Sequence, residues 1–209
     1  MTKKFDIAVV GATGVVGEAM LEVLSERKFP VGNIHALASE RSVGKTVEFG
    51  GRELSVEDLA EFDFSKVQIG LFSAGGSISA EYAPQAAAAG CVVIDNTSHF
   101  RYDDDIPLVV PEVNEAAIAD YTTRGIIANP NCSTIQMLVA LKPIYDAVGI
   151  ERGLDGAHGR DLGRIPVAHQ ILDLQPPDPV LGADGAVAAH RHLVDGVPDS
   201  VDDPRVRGN

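Results

Sequence analysis

Phe5–Val10 is a short apolar, β-branched run bounded by charged residues and then by Gly11, the pattern of a buried strand. From Val15 onward the spacing turns helical. Val16, Met20, Val23, Leu24 and Arg27 recur at intervals of three and four, and Pro30 closes the segment. Ile34–Ala38 predicts a second strand, and Lys45–Leu54, with Gly50-Gly51 at its centre, predicts a hairpin. Val67–Ser73 predicts a third strand, followed by Gly75-Gly76 and an Ala-rich helix over Ser79–Ala89. Cys91–Asp95 predicts a fourth. Leu108–Val110, a helix around Asn114–Ala119 and Gly125–Ala128 continue the alternation. Cys132–Ala147 predicts a last helix with Ile135, Leu138, Val139 and Leu141 on its apolar side. Strands alternating with helices across Gly-rich turns predict an α/β fold: a Rossmann-like, doubly wound, mostly parallel sheet with helices on both faces.

The pattern stops near residue 150, and so does the composition that supports it. All seven Phe, all four Tyr and every Lys precede that point. The segment 151–209 is instead rich in Gly, Pro, Asp, Arg and His, and has little with which to build a core. Gln175-Pro-Pro-Asp-Pro179 stops any regular element, and Ala186–His192 has room for about two helical turns. Residues 1–150 are therefore expected to form one folded domain, with 151–209 an irregular tail. A tail of this composition resembles an out-of-frame reading of GC-rich DNA; a truncated gene and a divergent tail are the other origins. His158, His169, His190 and His192 receive no catalytic role, and no metal site is expected.

A net charge of −13 argues against nucleic acid or an anionic membrane as partner. No apolar run approaches the roughly 18–20 residues of a spanning helix. The opening Met-Thr-Lys-Lys-Phe-Asp lacks the features of a secretory signal. Cys91 and Cys132 do not make a disulfide framework, so a reducing cytoplasm is the expected compartment.

Candidate chemistry clusters after the strands. Gly11-Ala-Thr-Gly14-Val-Val-Gly17 between a strand and a helix is a dinucleotide fingerprint with altered spacing. Gly11 permits the turn, Gly14 lets a pyrophosphate approach the backbone, and Gly17 lets the helix pack closely. The second strand ends in Ala38-Ser39-Glu40-Arg41-Ser42, without an acid at the strand end itself. Arg41 with Ser39 and Ser42 offers a cation and hydroxyls to a 2′-phosphate, which favours NADP; Glu40 opposes it, and an ordinary surface loop is the other reading. Asn129-Pro-Asn-Cys-Ser-Thr134 sets Cys132 at a helix start, where the positive end of the helix dipole favours a nucleophile. An inert thiol is equally compatible with a lone cysteine, and is the expected state of Cys91. Asn131 or Ser133 is suited to cap that helix. Arg101, after the fourth strand, is placed either to hold a phosphate or carboxylate or to pair with Asp103–Asp105. Ser73-Ala-Gly-Gly-Ser77 lines the nicotinamide side of a cofactor or is a plain connection.

GATGVVG, ASERS, SAGGS, DNTSHFRYDDDIPLVVPEVN and NPNCSTIQ together resemble the aspartate-β-semialdehyde dehydrogenase family in order and spacing, from about residue 4 to Arg152. The resemblance implies an NADPH-dependent oxidoreductase. Aspartyl phosphate becomes aspartate semialdehyde and phosphate, on the route to lysine, methionine, threonine and diaminopimelate. It implies that Cys132 attacks the acyl phosphate, that Asn131 places the acyl group and that Arg101 holds the phosphate. It assigns cofactor binding to Gly11, Thr13, Gly14, Val15, Val16, Gly17, Arg41, Ser42, Ser73 and Gly75. It also implies a homodimer, through a second domain whose glutamine, arginine and histidine motifs have no counterpart in 153–209. The chain by itself is accordingly expected to lack turnover. N-acetyl-glutamyl-phosphate reductase is the nearest alternative, but its motif resembles His-Pro-Gly-Cys, against which Asn131 discriminates. A non-catalytic nucleotide-binding protein is the alternative from another class.

Overall fold

The alternation resolves into a seven-stranded sheet in a computed structural model of the chain, whose described residues are 3–148, 154–155 and 160–161. The strands are β1 (Phe5–Val10), β2 (Val31–Ala38), β3 (Thr46–Phe49), β4 (Arg52–Asp58), β5 (Ile69–Phe72), β6 (Val92–Asp95) and β7 (Ile126–Ala128). Their order is β3-β4-β2-β1-β5-β6-β7. Every neighbouring pair is parallel except the β3–β4 hairpin, which turns at Gly50-Gly51 and is antiparallel. The helices are α1 (Val15–Glu26), α2 (Gly76–Ala88), α3 (Pro111–Asn114) and α4 (Cys132–Val148).

β1 has β2 on one side and β5 on the other, so the winding reverses beside it. At such a reversal doubly wound sheets bind ligands in the crevice outside the carboxyl ends of their strands. Register keeps those ends level: Val10 lies beside Leu37 and Phe72, Phe72 beside Asp95, and Asp95 beside Ala128. The turns after β1, β2, β5, β6 and β7 thus leave from one edge.

Each sheet face has its own core. Ile7, Val9, Ala36 and Val56 pack with Leu21 of α1. On the opposite face Val10, Leu37, Phe72, Val93 and Ile126 pack with Ala83 and Ala86 of α2 and Leu138 of α4. The two faces are covered unequally at β5–β7. Phe72, Val93 and Ile126 are fully buried, whereas Leu71, Ile94 and Ile127, pointing the other way, are half-buried.

The doubly wound fold and β1 agree with the sequence reading; several other elements differ. β2 begins at Val31 rather than Ile34. α2 begins at Gly76 rather than Ser79, because Gly75, at φ 98°, makes the turn in one residue. The helix expected around Asn114–Ala119 is instead α3 followed by a 3₁₀ stretch over Glu115–Thr123. Pro111 starts α3 and the Asn114 side chain ends it, donating to the Leu108 carbonyl at 2.9 Å and accepting from the Val110 amide at 2.8 Å. Leu108–Val110 contributes a bridge between Leu108 and Ala128 instead of a strand. On α1 the stripe toward the sheet is Gly17 and Leu21, leaving Val16 and Val23 exposed; on α4 Val139 is likewise exposed. Leu154–Asp155 and Arg160–Asp161 pair as short antiparallel strands, β8 and β9, where no regular element was expected. The expectations for Gln175–Pro179, Ala186–His192 and the four tail histidines lie outside the described residues. Among the described residues, no helix is long and apolar enough to cross a membrane.

Candidate active site

The glycine loop is shaped by contact rather than by hydrogen-bonding side chains. Gly11 has φ 89°, and a Cβ there would sit 3.0 Å from the Ala74 amide nitrogen in the turn after β5. A Cβ on Gly17 would overlap the Gly11 carbonyl oxygen and lie 2.7 Å from the Ala12 Cα. Gly14 is the N-cap of α1 and supplies no side-chain cap, so the amides of the first helical turn remain available to an anion. Val15 is 86% exposed at the mouth of this loop, with Val16 beside it. Thr13 precedes the cap and is half-buried.

The turn after β2 is a 3₁₀ segment, Glu40–Ser42, in which Glu40 and Arg41 are exposed and Ser42 is half-buried. Among the described residues neither Glu40 nor Arg41 forms an ion pair. Ser73 is drawn to β1 instead. Its amide and hydroxyl both donate to the Val10 carbonyl, at 2.9 and 3.2 Å. Gly75, the N-cap of α2, lies in open space, so its positive φ is what calls for glycine there.

The turns after β6 and β7 are built differently. Arg101 does not pair with Asp103–Asp105; Asp105 is engaged by Arg124 at 2.8 Å. The Arg101 guanidinium instead donates from Nε to the Asn129 carbonyl at 2.9 Å and from Nη2 to the Asn96 carbonyl at 3.0 Å. These carbonyls fix its plane and occupy only part of its donor set. Asn131 is the residue that caps α4: its Oδ1 accepts from the Ser133 amide at 3.0 Å and the Ser133 hydroxyl at 2.7 Å. Because the backbone amide can only donate, the Asn131 oxygen must face the helix, leaving its NH₂ directed elsewhere. Cys132 is the first residue of α4, exposed, with Sγ 3.8 Å from Asn131 Oδ1. The other thiol, Cys91, is buried just before β6, and burial pushes it up to about 12.

Five residues that hold this corner were given no role of their own from sequence. Asp95 is fully buried, and its carboxylate accepts from the Ser79 hydroxyl at 2.7 Å, the Thr97 hydroxyl at 2.7 Å and the Thr97 amide at 3.1 Å. The Asn129 side-chain amide donates to Asn96 Oδ1 at 2.6 Å. The available signal was a polar Asp-Asn-Thr run directly after an apolar strand. Ser79, inside an Ala-rich helix, gave none. The structure thus ties Arg101 to Asn129, two residues before Asn131 and three before Cys132, across β6 and β7, and brings Gly11, Gly17 and Ser73 together through β1 and β5. Arg41 and Ser42 stand at the far side of the same edge, after β2.

The family model for the semialdehyde dehydrogenase NAD binding domain matches residues 6–121. Aspartate-semialdehyde dehydrogenase of Legionella pneumophila is 68% identical over 152 residues, which are 73% of this chain and 44% of that protein. Aspartate-semialdehyde dehydrogenase 2 of Vibrio cholerae is 69% identical over 152 residues, 73% of this chain and 45% of that protein. The chain spans less than half the length of these relatives. The crystal structure of aspartate semialdehyde dehydrogenase II from Vibrio cholerae complexed with ASA is similar at a TM-score of 0.75 and 54% identity, covering 82% of this chain and 64% of that one. The Candida albicans aspartate semialdehyde dehydrogenase with NADP is similar at a TM-score of 0.60 and 25% identity, covering 71% and 48%.

Proposed function

From the premise that the chain belongs to the semialdehyde dehydrogenase family by its NAD-binding domain, we propose that it carries the cofactor cradle and the nucleophile of an aspartate-semialdehyde dehydrogenase. The observation that carries this reading is the shared edge. An exposed thiol at the first residue of α4 and an arginine tied to the same turn lie along the sheet edge that also bears the glycine cradle.

The residues present fit a nicotinamide dinucleotide. The Gly11–Gly17 contact leaves the loop backbone bare, the first turn of α1 offers amides to a pyrophosphate, and exposed Val15 and Val16 offer apolar surface. Arg41 and Ser42 favour NADPH through the 2′-phosphate. The bound cofactor would supply a hydride.

The chain's own residues perform the first half of the chemistry. As the thiolate, Cys132 Sγ attacks the acyl carbon of aspartyl phosphate; the C–S bond forms, the bond from that carbon to the phosphate oxygen breaks, and inorganic phosphate leaves with the electron pair and takes up the proton the thiol gave up. Arg101 holds the phosphoryl oxygens, and the NH₂ of Asn131 orients the acyl group while its oxygen caps α4. The whole reaction, reductive dephosphorylation in lysine, methionine, threonine and diaminopimelate synthesis, belongs to this proposal, as does the homodimer. N-acetyl-glutamyl-phosphate reductase is not favoured, since Asn131 stands where its motif has glycine.

Turnover by this chain alone is expected to be absent, because acid/base help worth about 100- to 10,000-fold has no recognisable source in it. Two measurements test the proposal. Incubation with β-aspartyl phosphate should release phosphate and add an acyl mass to the Cys132 peptide, both lost in Cys132→Ala; no adduct on a folded chain refutes the nucleophile. Phosphate-dependent NADP reduction with aspartate semialdehyde should stay at the level of that variant. A rate like that of the longer relatives would overturn the absence of turnover.

A further inference from the structure

We propose that Asn96 and Asn129 form a clasp that positions Arg101 against the Cys132 turn, so that phosphate binding beside the thiol depends on this amide pair. The proposal rests on the reading of Arg101 as the phosphate-holding residue.

Two turns that are distant in sequence meet here. Asn96 opens the turn after β6, and Asn129 opens the turn that leads from β7 to Cys132. The Asn129 NH₂ donates to Asn96 Oδ1 at 2.6 Å, closing the gap between them. Their main-chain carbonyls then accept together from Arg101, Asn129 O from Nε and Asn96 O from Nη2. Arg101 therefore reads the separation of the two turns directly. If the turns part, one guanidinium bond is lost and the planar fork rotates away from a fixed direction.

The platform beneath the clasp is rigid on the β6 side. The Asn96 amide donates to the Phe72 carbonyl at 2.9 Å, continuing the sheet ladder, and the Asn129 amide donates to the Asp95 carbonyl at 2.8 Å. The fully buried Asp95 carboxylate is held in turn by Ser79 and Thr97. On the β7 side the backbone is bridged at Ala128 to Pro107 and Val109, and beyond it Asn129 is tied to the β6 turn by that backbone bond and by the clasp. A long, flexible cation binds an anion well only when its ordering cost is met beforehand. The clasp meets it by presenting two carbonyls at a set spacing. Asn96 and Asn129 act through Arg101 and are positioning residues.

The test uses the full chain and inorganic phosphate. Alkylation of Cys132 by iodoacetamide is followed by peptide mass while phosphate is titrated at constant ionic strength. Each protein is referenced to its own rate without phosphate, and cooperative melting checks the fold. Wild type should be protected, and Arg101→Ala should not. In Asn96→Ala and Asn129→Ala the half-protecting phosphate concentration should rise by roughly fivefold to tenfold, the size of one part-buried hydrogen bond. The double variant should be no worse than either single one, because both remove the same bond. The singles approach the pair from opposite turns, so loss of folding in one leaves the other to decide. Unchanged protection in a folded single variant, or additive losses in the double, overturns the clasp alone. Absent protection in wild type, or equal protection in Arg101→Ala, overturns the phosphate reading and the clasp with it.

Discussion

The two ends of one sheet edge are built in opposite ways. Around β1 and β2 the surface is made of close backbone contact and unengaged groups. Gly17 touches the Gly11 carbonyl, α1 has no side-chain cap, and Arg41 has no ion-pair partner among the described residues. Around β6 and β7 polar side chains hold the turns to one another, from the buried Asp95 carboxylate to the Asn96–Asn129 amides, Arg101 and the Asn131 cap. The first design suits an extended ligand that brings its own acceptors to bare amides. The second suits a small ion and a reacting carbon, for which orientation matters more than contact area. A sheet edge can thus carry a soft cradle and a stiff corner only a few strands apart.

The comparison is broken most severely at Gly17. A methyl group there has nowhere to go, since both nearest neighbours are backbone. Gly17→Ala should therefore destabilise the domain by about 3 kcal/mol, read by urea unfolding, and abolish dinucleotide binding. A loss below about 1 kcal/mol would mean that the cradle is not set by this contact.

The two thiols come next. At pH 8 the exposed Cys132 should be alkylated at least about 100-fold faster than Cys91, whose thiol lies well above the ordinary value of about 8.5. Equal labelling would contradict the buried position of Cys91. The same shift has a stability consequence. The folded value lies above the unfolded one, so the neutral thiol contributes its full stability below about pH 8.5. That contribution is lost as pH climbs toward about 12. Cys91→Ala should flatten the alkaline limb of a stability–pH profile; an unaltered slope would assign that limb to other groups.

The cradle's preference for ligand is a smaller effect. Arg41→Ala should weaken NADPH binding by about tenfold and NADH binding by less than about twofold, measured by titration at fixed ionic strength. Equal losses would remove the 2′-phosphate from the account of this turn.

The smallest expected effect separates the two tasks of Asn131. Asn131→Ala should cost about 1 kcal/mol through loss of the α4 cap, read from thermal melts. Asn131→Asp keeps the capping oxygen and removes the NH₂, so it should keep the stability while losing acylation of Cys132. If Asn131→Asp acylates normally, the residue is a cap and nothing more.

Order along the chain was enough to place two of the turns at the sheet edge. A β-branched run followed by glycines spaced three apart fixes a strand, a turn and a helix start, because those residues leave the backbone few other conformations. Cys132 at a helix start was legible for the same reason, since Pro130 and a run of spaced apolar residues mark the boundary locally. Facing direction was not. Val16 and Val23 have helical spacing, yet they lie exposed because Gly17 and Leu21 make the closer approach to the sheet. Nor was the choice between two partners for Arg101. The nearby carboxylates Asp103–Asp105 are adjacent in sequence, but the carbonyl of Asn129, distant in sequence, becomes a neighbour only when β6 and β7 pair. Asn96 and Asn129, and Ser79 with Asp95, likewise meet only across the folded sheet. The sequence by itself determined β1, the glycine turn after it and the start of α4 at Cys132, because these depend on sterics within a few residues. Tertiary structure alone decided which polar groups became partners, because a hydrogen bond requires two atoms within about 3 Å and only strand pairing brings these turns that close.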